Sequence, residues 1–261
     1  MDVPIATRGL PEGISDAAWV AIRSVYLLYC PGTRNKGTGF ALRGGPLVTA
    51  EHVVRGCPLE KLMAVSSEGT AVSLKRLVVD ARRDLALAFP VNAITGGLLL
   101  AGDVAPRVGV TIFTLGYPSP YHGPVPVITV GRLSGFRDHR ISETEVDPAK
   151  HLVVNGAFKA GNSGGPLFVG QDNRVIGVLV SRHVSRGRLR RSAHELLMAD
   201  QAGAPFTTTD VEGNSGTCGA SQKGIEARLC FRELAQAIIA EAVAVSELRA
   251  LLQENNLVVP E

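Results

Sequence analysis

The chain has 261 residues, of which 45% are hydrophobic and 20% charged, and a formal net charge of +3. That balance supports a sizeable core and excludes a disordered chain, while so mild a basic excess gives no ground for expecting nucleic acid as a partner. No apolar run reaches the roughly 18 residues a membrane-crossing helix requires, so no membrane partner is expected either.

The first residues, MDVPIATRGLPEGISDAAW, carry an acid at position 2 and no apolar stretch of the export-signal kind. Short strands rich in Val, Leu, Ile and Phe are predicted at 20–29, 38–43, 62–65, 71–79, 85–89, 108–115, 125–134, 151–154, 166–169 and 175–181. Turn-forming clusters such as PGTRNKG, RGG, SSEG and GQDN separate them. Many short strands without intervening helices predict an all-β barrel or sandwich. From 181 to about 224 no strand pattern appears; 193–199 reads as a short helix and GAPFTTTDVEGNSGTCGASQKG as loop. Five arginines fall within 182–191, which fits either a solvated loop or a docking site for an acidic partner. From about 230, FRELAQAIIAEAVAVSELRALLQENN reads as a packing helix, with Leu234, Ile238, Val245, Leu248 and Leu252 along one stripe.

The four cysteines, Cys30, Cys57, Cys218 and Cys230, form no C-x-x-C pair and no zinc spacing with the histidines. The expectation is therefore no metal, reduced thiols and a cytoplasmic location; whether Cys218 and Cys230 pair stays open.

The segment with the most chemistry in it is GNSGGPL at 161–167. A serine hydroxyl needs a base to take its proton and donors to hold the oxyanion it creates. Flanking glycines permit a tight turn that exposes the Ser163 Oγ and aims the amides of Gly161 and Ser163 at one point. Of six histidines, His52 alone follows an apolar run, LVTAEHVV, that would deliver it at a strand end. Asp84 in RRDLALA directly precedes another apolar strand, which places a carboxylate at a barrel rim. Singly, each residue has a structural reading as a turn, cap or packed side chain. Together, in the order His, Asp, Ser, they fit a catalytic triad. An ester hydrolase of the α/β type is disfavoured, because its triad runs Ser, Asp, His.

At this point the chain resembles the trypsin/chymotrypsin-fold serine proteases, and within them the HtrA/Deg-like branch. The matching stretches are GTGFAL (37–42), LVTAEHVV (47–54), DARRDLAL (80–87), TLGYP (114–118), VGRLSG (130–135), GNSGGPL (161–167) and VIGVLVS (175–181). The resemblance implies two antiparallel six-stranded β-barrels, with a C-terminal α-helical extension added from the sequence pattern. Its division here would be a protease domain at 1–229, with barrel one at about 19–105, barrel two at about 106–229 and a long loop at 182–223. A helix and tail would fill 230–261. It implies His52, Asp84 and Ser163 as the triad, Gly161 and Ser163 as the oxyanion hole, and a protein or peptide substrate with no cofactor. Ala157, Phe158, Val180 and Ser181 would line the substrate pocket; alanine at 157, where a trypsin-like enzyme carries an acid, points to a small or medium apolar residue before the scissile bond. The branch usually carries a PDZ domain and an export signal, neither of which is visible, so a cytoplasmic regulatory or defence-type endopeptidase is expected. The alternative is a protease-fold binding or scaffold module whose triad is idle; the oligomeric state is open.

Overall fold

A computed structural model describes residues 16–33, 35–102, 105–119, 121–140, 147–170, 173–180, 206–209, 215–218 and 239–261. The chain divides into two compact units, Met1–Ser181 with Ile239–Glu261, and Arg182–Ile238. Among the described residues no helix is long and apolar enough to cross a membrane.

The first unit opens with helix α1 (Asp16–Arg23), followed by β1 (Val25–Cys30), β2 (Asn35–Ala41) and β3 (Leu47–Thr49). A four-residue helix α2 (Glu51–Val54) and a 3-10 turn (Leu59–Lys61) lead to β4 (Met63–Ser66), β5 (Ala71–Val72), β6 (Leu74–Asp80) and β7 (Leu85–Pro90). These strands form one sheet in the order β5-β4-β1-β2-β3-β7-β6. The edge strands β5 and β6 are separated only by Ser73, so one extended segment pairs with β4 at its start and with β7 at its end, which closes the sheet on itself. Most side chains of VYLLYC and LALAFP are buried, Tyr29 being exposed, and their Val, Leu and Ala side chains fill this barrel and its neighbour.

The second sheet uses β8 (Leu99–Leu100), β9 (Thr111–Gly116), β10 (Val127–His139), β11 (Ala149–Gly156), β12 (Pro166–Val169), β13 (Arg174–Val180) and β16 (Ile239–Ala244). Its order is β12-β9-β10-β11-β16-β13-β8, and pairing of β12 with β13 closes a six-stranded antiparallel barrel. β8 adds to β13 in parallel. Ile112, Leu133, Leu152, Val154, Leu167 and Leu179 pack inside. Helix α3 (Val245–Glu254) follows, and the tail returns so that the Leu100 amide bonds the Pro260 carbonyl. The second unit has its own hairpin, β14 (Phe206–Thr209) with β15 (Ser215–Cys218).

Three predicted elements change. Part of the segment read as loop, Phe206–Thr209 and Ser215–Cys218, forms the β14–β15 hairpin, its pairing set by cross-strand contacts that no local pattern announces. Residues 20–23 end a helix, and the strand starts only at Val25. The predicted C-terminal helix begins at Val245: Ile239–Ala244 is a strand between β11 and β13. Helix propensity in its alanines yields there to the pairing offered on both sides and to burial of Ala240, Ala242 and Val243. Val245, Leu248 and Leu252 do lie buried on α3, whereas Leu234 and Ile238 fall outside the described residues.

The reduced-thiol expectation is also overturned, because Cys30 and Cys57 form a disulfide with Cα atoms 6.0 Å apart. The bond ties the end of β1 to the residues after α2. Neither cysteine belongs to a local motif, and only the folded barrel brings them together. The predicted helix at 193–199, the arginine segment at 182–191 and Cys230 lie outside the described residues.

Candidate active site

His52 stands on α2, one turn of helix directly after β3, rather than at the strand end itself. Its Nδ1 lies 2.8 Å from Asp84 Oδ2 and 3.0 Å from Oδ1. An ionised carboxylate only accepts, so in this pairing Nδ1 carries a hydrogen, and in the neutral tautomer of that pairing Nε2 holds the lone pair. The backbone amide of His52 also donates to Asp84 Oδ1, at 3.0 Å, and the Glu51 amide to the Asp84 carbonyl, at 3.1 Å. Asp84 is buried and has φ of 54°, a left-handed conformation that Asp tolerates better than most residues. The backbone of the loop is thus bent to bring its carboxylate under the imidazole. The His52 side chain is 33% exposed and that of Asp84 5%, so the ring is reachable from solvent while the acid is not.

Ser163 is supported from the other barrel, between β11 and β12. Its carbonyl accepts from the Thr38 amide at 2.8 Å. Around it the amides of Asn162, Gly164 and Gly165 are taken up by the carbonyls of Lys159, Leu179 and Asn162. Gly161 and Ser163 are the expected oxyanion donors of this turn. Gly161 has φ of 93°, and the Ala160 carbonyl accepts from the Ser119 amide at 2.7 Å, which fixes the orientation of the Ala160–Gly161 peptide. Gly164 has φ of 85°, and a Cβ built there would sit 2.0 Å from the Thr38 carbonyl oxygen and 2.9 Å from the Ala50 amide. The serine turn is therefore packed directly on the chain that leads into His52. Ser163 is only 4% exposed, contrary to the expected open hydroxyl, because the turn lies against β2 and the residues after β3.

Thr38 was not visible as a site residue in sequence, yet it links the two barrels at this point. Its hydroxyl donates to the Gly161 carbonyl at 2.6 Å and accepts from the Tyr117 amide at 3.0 Å. Its own carbonyl accepts from the Thr49 hydroxyl at 2.7 Å. Lys36 on the same strand donates to the carbonyls of Tyr121, at 2.6 Å, and Pro118, at 3.3 Å; burial lowers its pKa. Glu51, buried beside His52, is bound by Arg55 one turn along, and the hydrogen bonds to Glu51 raise the Arg55 pKa. Asn162 is fully buried, and its side-chain amide has no hydrogen-bond partner among the described residues.

Arg83, next to Asp84, is gripped by three acids. It donates to Asp80 Oδ2 at 2.6 Å, Glu247 Oε2 at 3.0 Å and Glu254 Oε1 at 2.6 Å. Burial alone would lower its pKa, but the bonds to Glu254, Asp80 and Glu247 raise it overall. The loop holding Asp84 is thereby fastened to α3.

Of the expected pocket residues, Ala157 is exposed, whereas Phe158 is buried with its ring against Gly131 and Gly156. Val180 is fully buried in the core, and Ser181 lies outside the described residues.

Residues 37–178 match the family described as trypsin-like peptidase domain. The chain is 28% identical over 150 residues to the Arabidopsis thaliana protein named protease Do-like 12, mitochondrial, which covers 55% of this chain and 28% of that protein. Its fold is similar to that of the Rv3671c protease from M. tuberculosis in its active form, with a TM-score of 0.55 at 20% identity, over 65% of this chain and 74% of that one. It is also similar to the HtrA-type protease AlgW crystallised with a tripeptide, with a TM-score of 0.54 at 20% identity, over 70% and 62% of the two chains. The chain spans less than a third of the length of the Do-like relative.

Proposed function

This chain belongs to the trypsin-like peptidase family, and on that footing we propose that it is a serine endopeptidase using His52, Asp84 and Ser163. The observation that carries the reading is the double contact of the Asp84 carboxylate with His52, on Nδ1 and on the backbone amide, beside a glycine-bounded serine turn. In the proposed reaction Ser163 Oγ attacks the scissile carbonyl while His52 Nε2 takes its proton. The bond to the leaving amine breaks as His52 returns that proton, and water then releases the acyl group by the same route. Asp84 holds the tautomer and stabilises the imidazolium, and the amides of Gly161 and Ser163 receive the oxyanion. No cofactor is called for in this scheme.

We further propose a small or medium apolar residue before the scissile bond, since Ala157 offers no charge to an Arg or Lys side chain. A peptide-library profile dominated by cleavage after Arg or Lys would refute that preference. A regulatory role, with an acidic partner docking on the arginines of 182–191, is part of the proposal; neutralising all five without effect on activity or partner binding removes it. The cytoplasmic location loses its support, because the Cys30–Cys57 bond suits an oxidising compartment.

The test is labelling with a fluorophosphonate probe and hydrolysis of casein, comparing the wild type with Ser163→Ala and His52→Ala. Loss of nucleophile or base costs on the order of 10⁶ in turnover in such a protease. Signals that vanish in both variants support the triad. Labelling that persists in Ser163→Ala refutes it.

A further inference from the structure

Away from the triad, on the second barrel, β10, β11 and β16 bring together three side chains to which the proposed reaction gives no role. His139 on β10, His151 on β11 and Glu241 on β16 each offer a donor atom within 4.8 Å of the other two. Arg137 pairs across the ladder with His151, and Glu241 with Val153, so alternation puts Arg137, His139, His151 and Glu241 on one face of the sheet. Both imidazoles are nonetheless covered: His151 is 1% and His139 5% exposed, with their rings stacked at 4.8 Å between centroids. His151 Nδ1 lies 2.8 Å from Glu241 Oε2, and its Nε2, fully enclosed, has no hydrogen-bond partner among the described residues. A buried imidazole nitrogen without a partner costs free energy unless something else engages it.

From this arrangement we infer a binding site for a divalent transition-metal ion of the zinc class, held by His139, His151 and Glu241. Two imidazoles and one carboxylate are a borderline donor set, suited to Zn²⁺ or Co²⁺ and poorly suited to Mg²⁺ or Ca²⁺, which prefer oxygen. Tetrahedral zinc places its donors about 3.3 Å apart, so closing a triangle whose sides reach 4.8 Å needs about 1.5 Å of side-chain movement at most. Water would supply the fourth position.

Arg137 is the built-in competitor. Its side chain, half exposed, donates to Glu241 Oε1 at 2.6 Å and lies 3.4 Å from His139 Nδ1. It neutralises Glu241 when no metal does, and it is free to swing outward when one arrives. Metal and guanidinium therefore exclude one another. A bound ion would staple three strands, including β16, the strand by which the chain re-enters this unit after Arg182–Ile238.

The experiment is zinc titration by calorimetry on a His52→Ala, Ser163→Ala background, which removes the triad imidazole and any self-digestion. One zinc per chain is expected, with affinity falling at least about tenfold in His151→Gln and in Glu241→Gln. Arg137→Gln is expected to bind zinc more tightly, a gain that misfolding cannot produce. Loading the unaltered background with Co²⁺ should give the intense visible bands of a four-coordinate ion. Absence of one-to-one uptake, uptake indifferent to His151→Gln and Glu241→Gln, or no gain in Arg137→Gln would each overturn the assignment. None of these results bears on the proteolytic reading, which the probe experiment decides separately.

Discussion

Replacing Thr38 by valine keeps the shape of the side chain and removes only the hydroxyl. Thr38 is fully buried, so the Gly161 carbonyl and the Tyr117 amide are left facing a methyl group without water to take its place. A buried polar group that loses its partner costs about 1–3 kcal/mol, which gives about 2–6 for the two. Added apolar contact from the new methyl offsets part of this, and we expect about 3 kcal/mol. For a domain of this size that is a fall in Tm of about 6–12 °C. Urea denaturation in the Ser163→Ala background measures it without self-cleavage. Thr38→Ser keeps the hydroxyl and should lose about 1 kcal/mol, chiefly from the missing methyl. In the active protein Thr38→Val should also lower kcat, since the Gly161 turn loses its anchor, while Thr38→Ser retains most of it. A valine variant within 1 kcal/mol of wild type, or a serine variant as damaged as valine, would show that the hydroxyl does not bind the barrels together here.

Asp84→Asn should leave the fold intact and reduce kcat by about 10⁴, because an amide at that position permits the wrong tautomer of His52; steady-state peptide hydrolysis measures it. Arg83→Met leaves Asp80 and Glu247 facing each other with little solvent. We expect a loss near the lower end of the 3–5 kcal/mol typical of a broken buried pair, about 3, since Glu254 is half exposed and screened. Thermal unfolding checks it, and a loss below about 1 kcal/mol would contradict the clamp. The hydrogen bond from Arg83 holds the Glu254 carboxyl below its ordinary 4.5. Its contribution is thus complete above that pH and disappears as pH falls through the lowered value; a stability–pH profile of Glu254→Gln should converge on wild type only in that acid range. Thiol titration under denaturing, non-reducing conditions should find Cys30 and Cys57 unreactive, and Cys57→Ser should cost about 2–4 kcal/mol.

The strands with compact, apolar runs were legible in sequence because period and turn residues agree, as at 85–89 and 166–169. The triad candidates were legible because each sits in a distinctive local context. What escaped was whatever depends on distant pairing. Nothing local in IAEAVA distinguishes a strand from a helix; the decision is made by β11 and β13 on either side of it. Thr38 is an ordinary strand threonine until the Gly161 carbonyl arrives from 123 residues away. His139, His151 and Glu241 follow no ligand spacing, because three separate strands supply them. The Cys30–Cys57 pair likewise exists only once β1 has met the chain after α2.

The position of β16 has a consequence for synthesis. A ribosome delivers β16 after every other strand of its sheet, yet it belongs in the middle of that sheet, with Ala242 beside Leu179. Leu179 in turn holds the serine turn, through bonds to the Gly164 amide and the Gly165 carbonyl. A nascent chain that has made everything up to residue 238 therefore carries two unfilled strand edges, on β11 and β13, and a serine turn whose support is incomplete.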